Sequence, residues 1–128
     1  MLNDKLPEDL QEKLTKSFKD LNIILKALST SQRQKILISL LDSPKTFQEL
    51  KDQVNLGRTA LSNHLAILKD ASLIGKIHQG FYRITQKGQD FLQAICLAYE
   101  HSLTEEVKQK EAEQKKFLMD TFIQRQTK

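Results

Sequence analysis

The sequence predicts a mainly α-helical chain with one small β-hairpin and long helices at both ends. Three observations predict it. Leucine-rich stripes recur at spacings of three and four residues along most of the chain. Capping residues cut the middle of the chain into short helices. Two β-prone runs, Leu73 to His78 and Phe81 to Thr85, flank Gln79-Gly80 and read as a hairpin.

The first helix starts at Pro7, a residue suited to the first helical position, and Glu8 and Asp9 complement the helix dipole there. Leu10, Leu14, Phe18, Leu21, Leu25 and Leu28 give it one long apolar stripe, with a break point near Asp20 to Asn22. Ser31 and Gln34 form a capping box for a second helix, whose inward face is Ile36, Leu37, Leu40 and Leu41. Asp42-Ser43-Pro44 ends it. Thr46 and Glu49 form another capping box, opening a short third helix with Leu50 and Val54 inward.

Asn55 tolerates the left-handed conformation that a tight turn demands, and Gly57 can cap the helix after it. That fourth helix runs from Arg58 to about Ala71 on a Leu61–Leu65–Leu68 core stripe. In the hairpin, a two-residue Gln79-Gly80 turn sets Ile77 opposite Tyr82, and Lys76 opposite Arg83 on the other face. Thr85 caps a last helix with Phe91, Leu92, Ile95, Ala98 and Tyr99 on one face. Ser102 and Glu105 predict a kink or a new helix. The strongly charged tail beyond Leu103 carries Val107, Phe117, Leu118, Phe122 and Ile123 as apolar anchors.

Two short helices joined by a tight turn and followed by a small hairpin describe a winged helix-turn-helix. The expected division is a helix over 1–28, a winged core over 29–88 and a helical region over 89–128. A stripe on one side of the fourth helix frees the other side for a major groove. A step of about 100° per residue places Thr59, Ser62, Asn63 and Ala66 there. Arg58 stands at the N-terminal end, where it can pair with guanine as Asn63 can with adenine.

Charge points the same way. The formal net charge is +4. From Asn55 to Asp90, Arg58, Lys69, Lys76, Arg83 and Lys87 outnumber Asp70 and Asp90, so the excess concentrates around the predicted recognition unit. The single cysteine, Cys96, excludes a disulfide within the chain, and its apolar neighbours Ile95 and Leu97 predict a buried, inert thiol. The N-terminus carries no signal segment and no run approaches the ~18 apolar residues of a membrane span, so a cytoplasmic protein is expected. His64, His78, His101 and Cys96 lack the paired spacings of zinc sites, and no metal or cofactor is expected. No phosphate loop or nucleophile motif is present, so an enzyme is not expected.

The stretches LKALSTSQRQKIL (25–37), TFQELKDQVNLGRTALSNHLAILKDASLI (46–74) and FYRITQKG (81–88) together resemble the ArsR-type winged-helix repressors. The resemblance covers residues 25 to 90 and is carried most specifically by Ser62-x-His64-Leu65-x-x-Leu68 and Tyr82-Arg83-Ile84-Thr85-x-x-Gly88. It implies a homodimer with terminal helices at the interface, and operator binding through the fourth helix and the wing. The chain departs from the family in having Gly57 at a position usually held by a capping Ser or Thr, a short wing, and no Cys-x-Cys metal motif. Metal sensing is therefore not carried over.

The expected DNA-contacting set is Arg58, Thr59, Ser62, Asn63, His64, Lys69, Lys76, His78, Gln79 and Arg83. His64 could equally sit at the core edge on a backbone partner, and Lys76 and Arg83 could be ordinary solvated wing residues. The expected dimer interface is Leu14, Phe18, Leu21, Leu25, Phe91, Ile95, Tyr99, Val107, Phe117 and Phe122, because these exceed what one small domain covers. The resulting function is that of a homodimeric, sequence-specific double-stranded DNA-binding regulator, a repressor by resemblance. The main alternative is a winged-helix adaptor that binds protein, for which an apolar or acidic patch would replace Arg58, Lys76 and Arg83. A non-specific chromatin-like binder should carry a higher charge.

Overall fold

The computed structural model describes residues 6–126. Nine elements follow in order: α1 (Leu10–Ala27), α2 (Ser31–Asp42), β1 (Lys45–Thr46), α3 (Phe47–Val54), α4 (Arg58–Asp70), β2 (Ile74–Lys76), a 3₁₀ turn (His78–Gly80), β3 (Phe81–Ile84) and α5 (Gln86–Gln126). The mainly helical winged helix-turn-helix is present, with long terminal helices. Two compact units divide the chain, one ending at Leu92 and the other beginning at Gln93.

The first unit is built around leucines. Leu61, Leu65 and Leu68 of α4 are buried together with Ile36, Leu37 and Leu40 of α2, Leu50 of α3, and Leu73, Ile74 and Ile84 of the hairpin. Burial of each such side chain contributes about 1.5–3 kcal/mol. From α1 the core receives Ile24 and Ala27, with Leu21 and Leu28 partly covered. The predicted α1 stripe is thus replaced at its centre: Phe18 and Leu25 stay exposed because Leu21, Ile24, Ala27 and Leu28 form the inward face. Leu41 is also corrected, since it is 51% exposed. The inward stripe of α2 runs instead through Arg33, Ile36, Leu37 and Leu40.

The helix boundaries follow from their caps. Thr30, not Ser31, caps α2, its hydroxyl accepting from the Arg33 backbone N–H. Thr46 and Glu49 complete a reciprocal capping box at α3, as read from the sequence. Asn55 ends α3 at φ 54°, the left-handed conformation expected of it. Gly57 caps α4 without a side-chain hydrogen bond. Thr85 accepts from the Gly88 N–H and starts α5. The expected break in α1 at Asp20–Asn22 and the kink at Ser102 do not occur; both helices run through. At Ser102 the hydroxyl donates to the Tyr99 carbonyl instead of capping a new helix.

The sheet is three-stranded and antiparallel, in the order β1-β3-β2. Its two-residue strand β1 was not predicted; Lys45 pairs with Tyr82 and Thr46 with Phe81. The hairpin register differs from expectation by one residue. Lys76 pairs with Tyr82 and Gly75 with Arg83. The turn holds three residues rather than two, with Gln79 at φ 67° and Gly80 at φ 79°, and the Ile77 N–H donates to the Phe81 carbonyl beneath it. Directly opposed residues share a face. Lys76 therefore lies on the face of Tyr82, and Arg83 on the opposite one.

Gly88 explains the Tyr82–Gly88 run. A Cβ there would stand 2.4 Å from the Leu73 carbonyl oxygen and 2.7 Å from Ile84 Cγ1. The start of α5 can reach the sheet only with hydrogen at that position. Beyond it, Phe91 and Leu92 pack on the core.

The second unit is the remainder of α5. Apart from half-buried Thr121, its described residues from 93 to 125 are all exposed. Cys96 is exposed, not buried as expected: the inward face of α5 ends at Leu92. Its thiol lies 3.5 Å from a Glu100 carboxylate oxygen, and the hydrogen bond and negative charge of Glu100 push its pKa up.

Candidate nucleic-acid interface

The Leu61–Leu65–Leu68 stripe faces inward, so the opposite side of α4 is presented to solvent. Arg58, Thr59, Ser62, Asn63, Ala66 and Lys69 are all exposed on it. The side chains between Arg58 and Lys69 are short, so a base edge could approach the helix closely. Cations stand at both ends of this face.

Arg58 does not hang free. Its guanidinium carbon lies 5.4 Å from the centroid of the Phe47 ring, at the start of α3. Such a contact orients the planar group and leaves its hydrogen-bond donors available.

The wing completes the surface. Ser62, Leu65, Ala66, Lys69 and Tyr82 line one shallow cleft of about 190 Å³ between α4 and β3. Lys76 stands over the Tyr82 ring, its ammonium 5.6 Å from the centroid. The observed register thus gathers Lys69, Lys76 and Tyr82 on the side shared with α4. Arg83 is exposed on the other face of the strand, and His78 and Gln79 are exposed in the turn. Tyr82 was absent from the sequence-based set, although its alternation with Ile84 on β3 was the available signal.

His64 is turned differently from its neighbours. It is half-buried, and its Nδ1 lies 3.1 Å from Nη1 of Arg33. Burial, and then the Arg33 charge, hold its pKa below the usual 6.5. The imidazole is accordingly favoured in its neutral form. Among the described residues, no group of three or more His, Cys, Asp or Glu could hold a metal.

Residues 30–76 match the family model of the bacterial regulatory proteins of the arsR family. Over those residues the chain is similar to the arsR family. Relatives and solved structures agree with it. The biofilm growth-associated repressor of Xylella fastidiosa is 28% identical over 89 residues, covering 67% of this chain and 78% of its own. The transcriptional activator HlyU of Vibrio cholerae is 38% identical over 68 residues, covering 53% and 62%. The reduced form of HlyU superposes with a TM-score of 0.58 at 28% identity, over 69% of this chain and 97% of that one. A homodimeric winged helix-turn-helix DNA-binding domain from Mycobacterium bovis shares the fold, with a TM-score of 0.58 at 21% identity over 77% and 93%. The matched region contains all of α4, and with it the exposed polar face. The matched family is one of bacterial regulatory proteins, and the two relatives are a repressor and a transcriptional activator.

Proposed function

We propose that this protein is a sequence-specific regulator that binds double-stranded DNA as a homodimer. The observation that carries the reading is the outer face of α4, short and polar from Thr59 to Ala66 and bounded by Arg58 and Lys69. In this reading Arg58, Thr59, Ser62 and Asn63 meet base edges, while Lys69, Lys76, His78, Gln79 and Arg83 meet phosphates. His64, half-buried against Arg33, stands apart from this contacting set.

Homodimerisation is supported by exposed apolar side chains on both terminal helices. Phe18 and Leu25 on α1, and Ile95, Tyr99, Val107, Phe117 and Phe122 on α5, are each 45% or more exposed. Leu14, Leu21 and Phe91 are partly covered within one copy and would contribute less. Residues 1–28 and 89–128 would thus serve dimerisation around the winged core of 29–88; residues 1–5 and 127–128 lie outside the described structure. Two recognition helices would then reach successive major grooves, ~34 Å apart, on an inverted repeat. Among the described residues no helix is long and apolar enough to cross a membrane, in keeping with a DNA-binding role in the cytoplasm.

The test is fluorescence anisotropy on a labelled pool of random-sequence duplex DNA, at several salt concentrations. Binding that weakens steeply with salt, followed by enrichment of an inverted repeat, is the expected result. No binding at low salt would overturn the reading in favour of a protein-binding adaptor.

A further inference from the structure

Arg33 is the most buried charged side chain without an ionic partner among the described residues, only 7% exposed. It lies on the inward stripe of α2, and no buried side-chain polar atom lacks a partner among the described residues. The guanidinium is satisfied in two directions. Toward α1, Nε donates to the Ala27 carbonyl at 2.8 Å and Nη2 to the Lys26 carbonyl at 2.9 Å. These carbonyls belong to the last turn of α1, where a cation also complements the helix dipole. Toward α4, Nη1 meets His64 Nδ1 at 3.1 Å.

The chemistry of that last contact is fixed. A guanidinium has only donors, so Nδ1 must supply the lone pair. The ring proton then resides on Nε2, and a doubly protonated ring cannot make the contact. One side chain thus bridges the end of α1 to the middle of α4, and it does so only with one tautomer of His64.

We propose that Arg33 is a positioning residue for DNA recognition: through His64 it holds α4 against the end of α1 and so fixes the angle at which α4 meets a duplex. The proposal rests on the DNA-binding reading above and deepens it, because α1 is also a candidate dimer helix. A change of packing along α1 reaches α4 through this guanidinium. His64 is accordingly a strut between α2 and α4.

The test uses the full chain and three variants, Arg33→Lys, His64→Asn and His64→Phe. Asn carries its amide oxygen near the place of Nδ1, so it keeps an acceptor for Arg33; Phe keeps the ring volume without one. On the random-sequence duplex pool, Arg33→Lys and His64→Phe are expected to weaken binding about tenfold, and His64→Asn to bind at least about threefold more tightly than His64→Phe. In the wild type, ¹⁵N spectra of the ring should show a lone pair at Nδ1 and a proton at Nε2. Should Arg33→Lys fail to fold, the His64 pair decides alone. Wild-type affinity in His64→Phe, or a proton on Nδ1 in the wild type, would overturn the proposal. If the wild type binds no DNA, it is the DNA reading that fails. The ring spectrum, with hydrogen exchange of α4 amides faster in His64→Phe than in His64→Asn, then decides the Arg33 link.

Discussion

Gly88→Ala adds one methyl group where the structure has no room for it. The new Cβ would stand 2.4 Å from the Leu73 carbonyl oxygen and 2.7 Å from Ile84 Cγ1. The Ile84 side chain could turn away at a modest cost. The Leu73 carbonyl cannot, because it accepts from the Thr85 N–H at 3.0 Å and anchors the start of α5 to the hairpin. Relief therefore requires α5 to shift off the sheet, taking half-buried Phe91 and Leu92 with it. Overpacking of this kind costs about 1–3 kcal/mol, and a backbone obstacle places it near 3. For a unit of this size the loss corresponds to a fall in Tm of roughly 10 °C or more. Gly57→Ser is the matched control: no atom lies within 4 Å of its Cβ, and its φ of −70° suits any residue. A serine hydroxyl there should raise stability by a few tenths of a kcal/mol by capping α4. Guanidinium unfolding of both variants measures the contrast. A Gly88→Ala protein as stable as the wild type would refute the packing argument.

Combining Arg58→Ala with Asn63→Ala should abolish most discrimination between sequences while sedimentation still shows the wild-type oligomer; retained discrimination would remove both from the reading face. Lys76→Ala and Arg83→Ala should each weaken binding to all sequences and shallow the salt slope by about one for every phosphate left without its cation. Glu49 is held below its ordinary 4.5 by the Thr46 backbone and side chain at the α3 cap. Its contribution is thus present above about pH 4.5 and is lost as pH falls through the lowered folded value. Glu49→Gln should flatten that part of the acid-unfolding curve, measured by circular dichroism. The hydrogen bond and charge of Glu100 push the Cys96 pKa up. Alkylation of Cys96 by iodoacetamide near neutral pH should be slower than that of a free cysteine, and Glu100→Gln should speed it.

Much of this molecule was legible in its residues because local chemistry decided it. The Leu61–Leu65–Leu68 stripe fixed both the core side of α4 and, by subtraction, its outer face. Thr46 with Glu49, Asn55 and Thr85 are signals read within three residues of themselves, and each lies where it was expected. The misreadings arose where distant partners decide. Whether the turn holds two residues or three cannot be weighed from Gln79-Gly80 alone, and one residue moves Lys76 from the face of Arg83 to that of Tyr82. β1 spans only two residues, too few to show alternation, and exists because β3 offers it an edge. Arg33 sits in a polar run, Ser31-Gln32-Arg33-Gln34-Lys35, that reads as solvated. The available signal was its position one turn before Ile36 and Leu37 on an otherwise apolar stripe. The exposed set on α4 was foreseen, whereas the inward turn of His64 depended on that unseen arginine.

Thr46 belongs to two structures at once. Its backbone pairs with Phe81 of β3, while its hydroxyl accepts from the Glu49 N–H at the start of α3. The helix-turn-helix and the wing are consequently tied together at a single residue. If the proposed DNA reading holds, this tie would hinder the two parts from swinging against one another on a duplex. On that reading, the choice of target sequence would be written in the identities of the outer side chains of α4. On the proposed reading, mutational drift at Thr59, Ser62 or Asn63 would then exchange one target for another while leaving the tie between α3 and β3 at Thr46 in place.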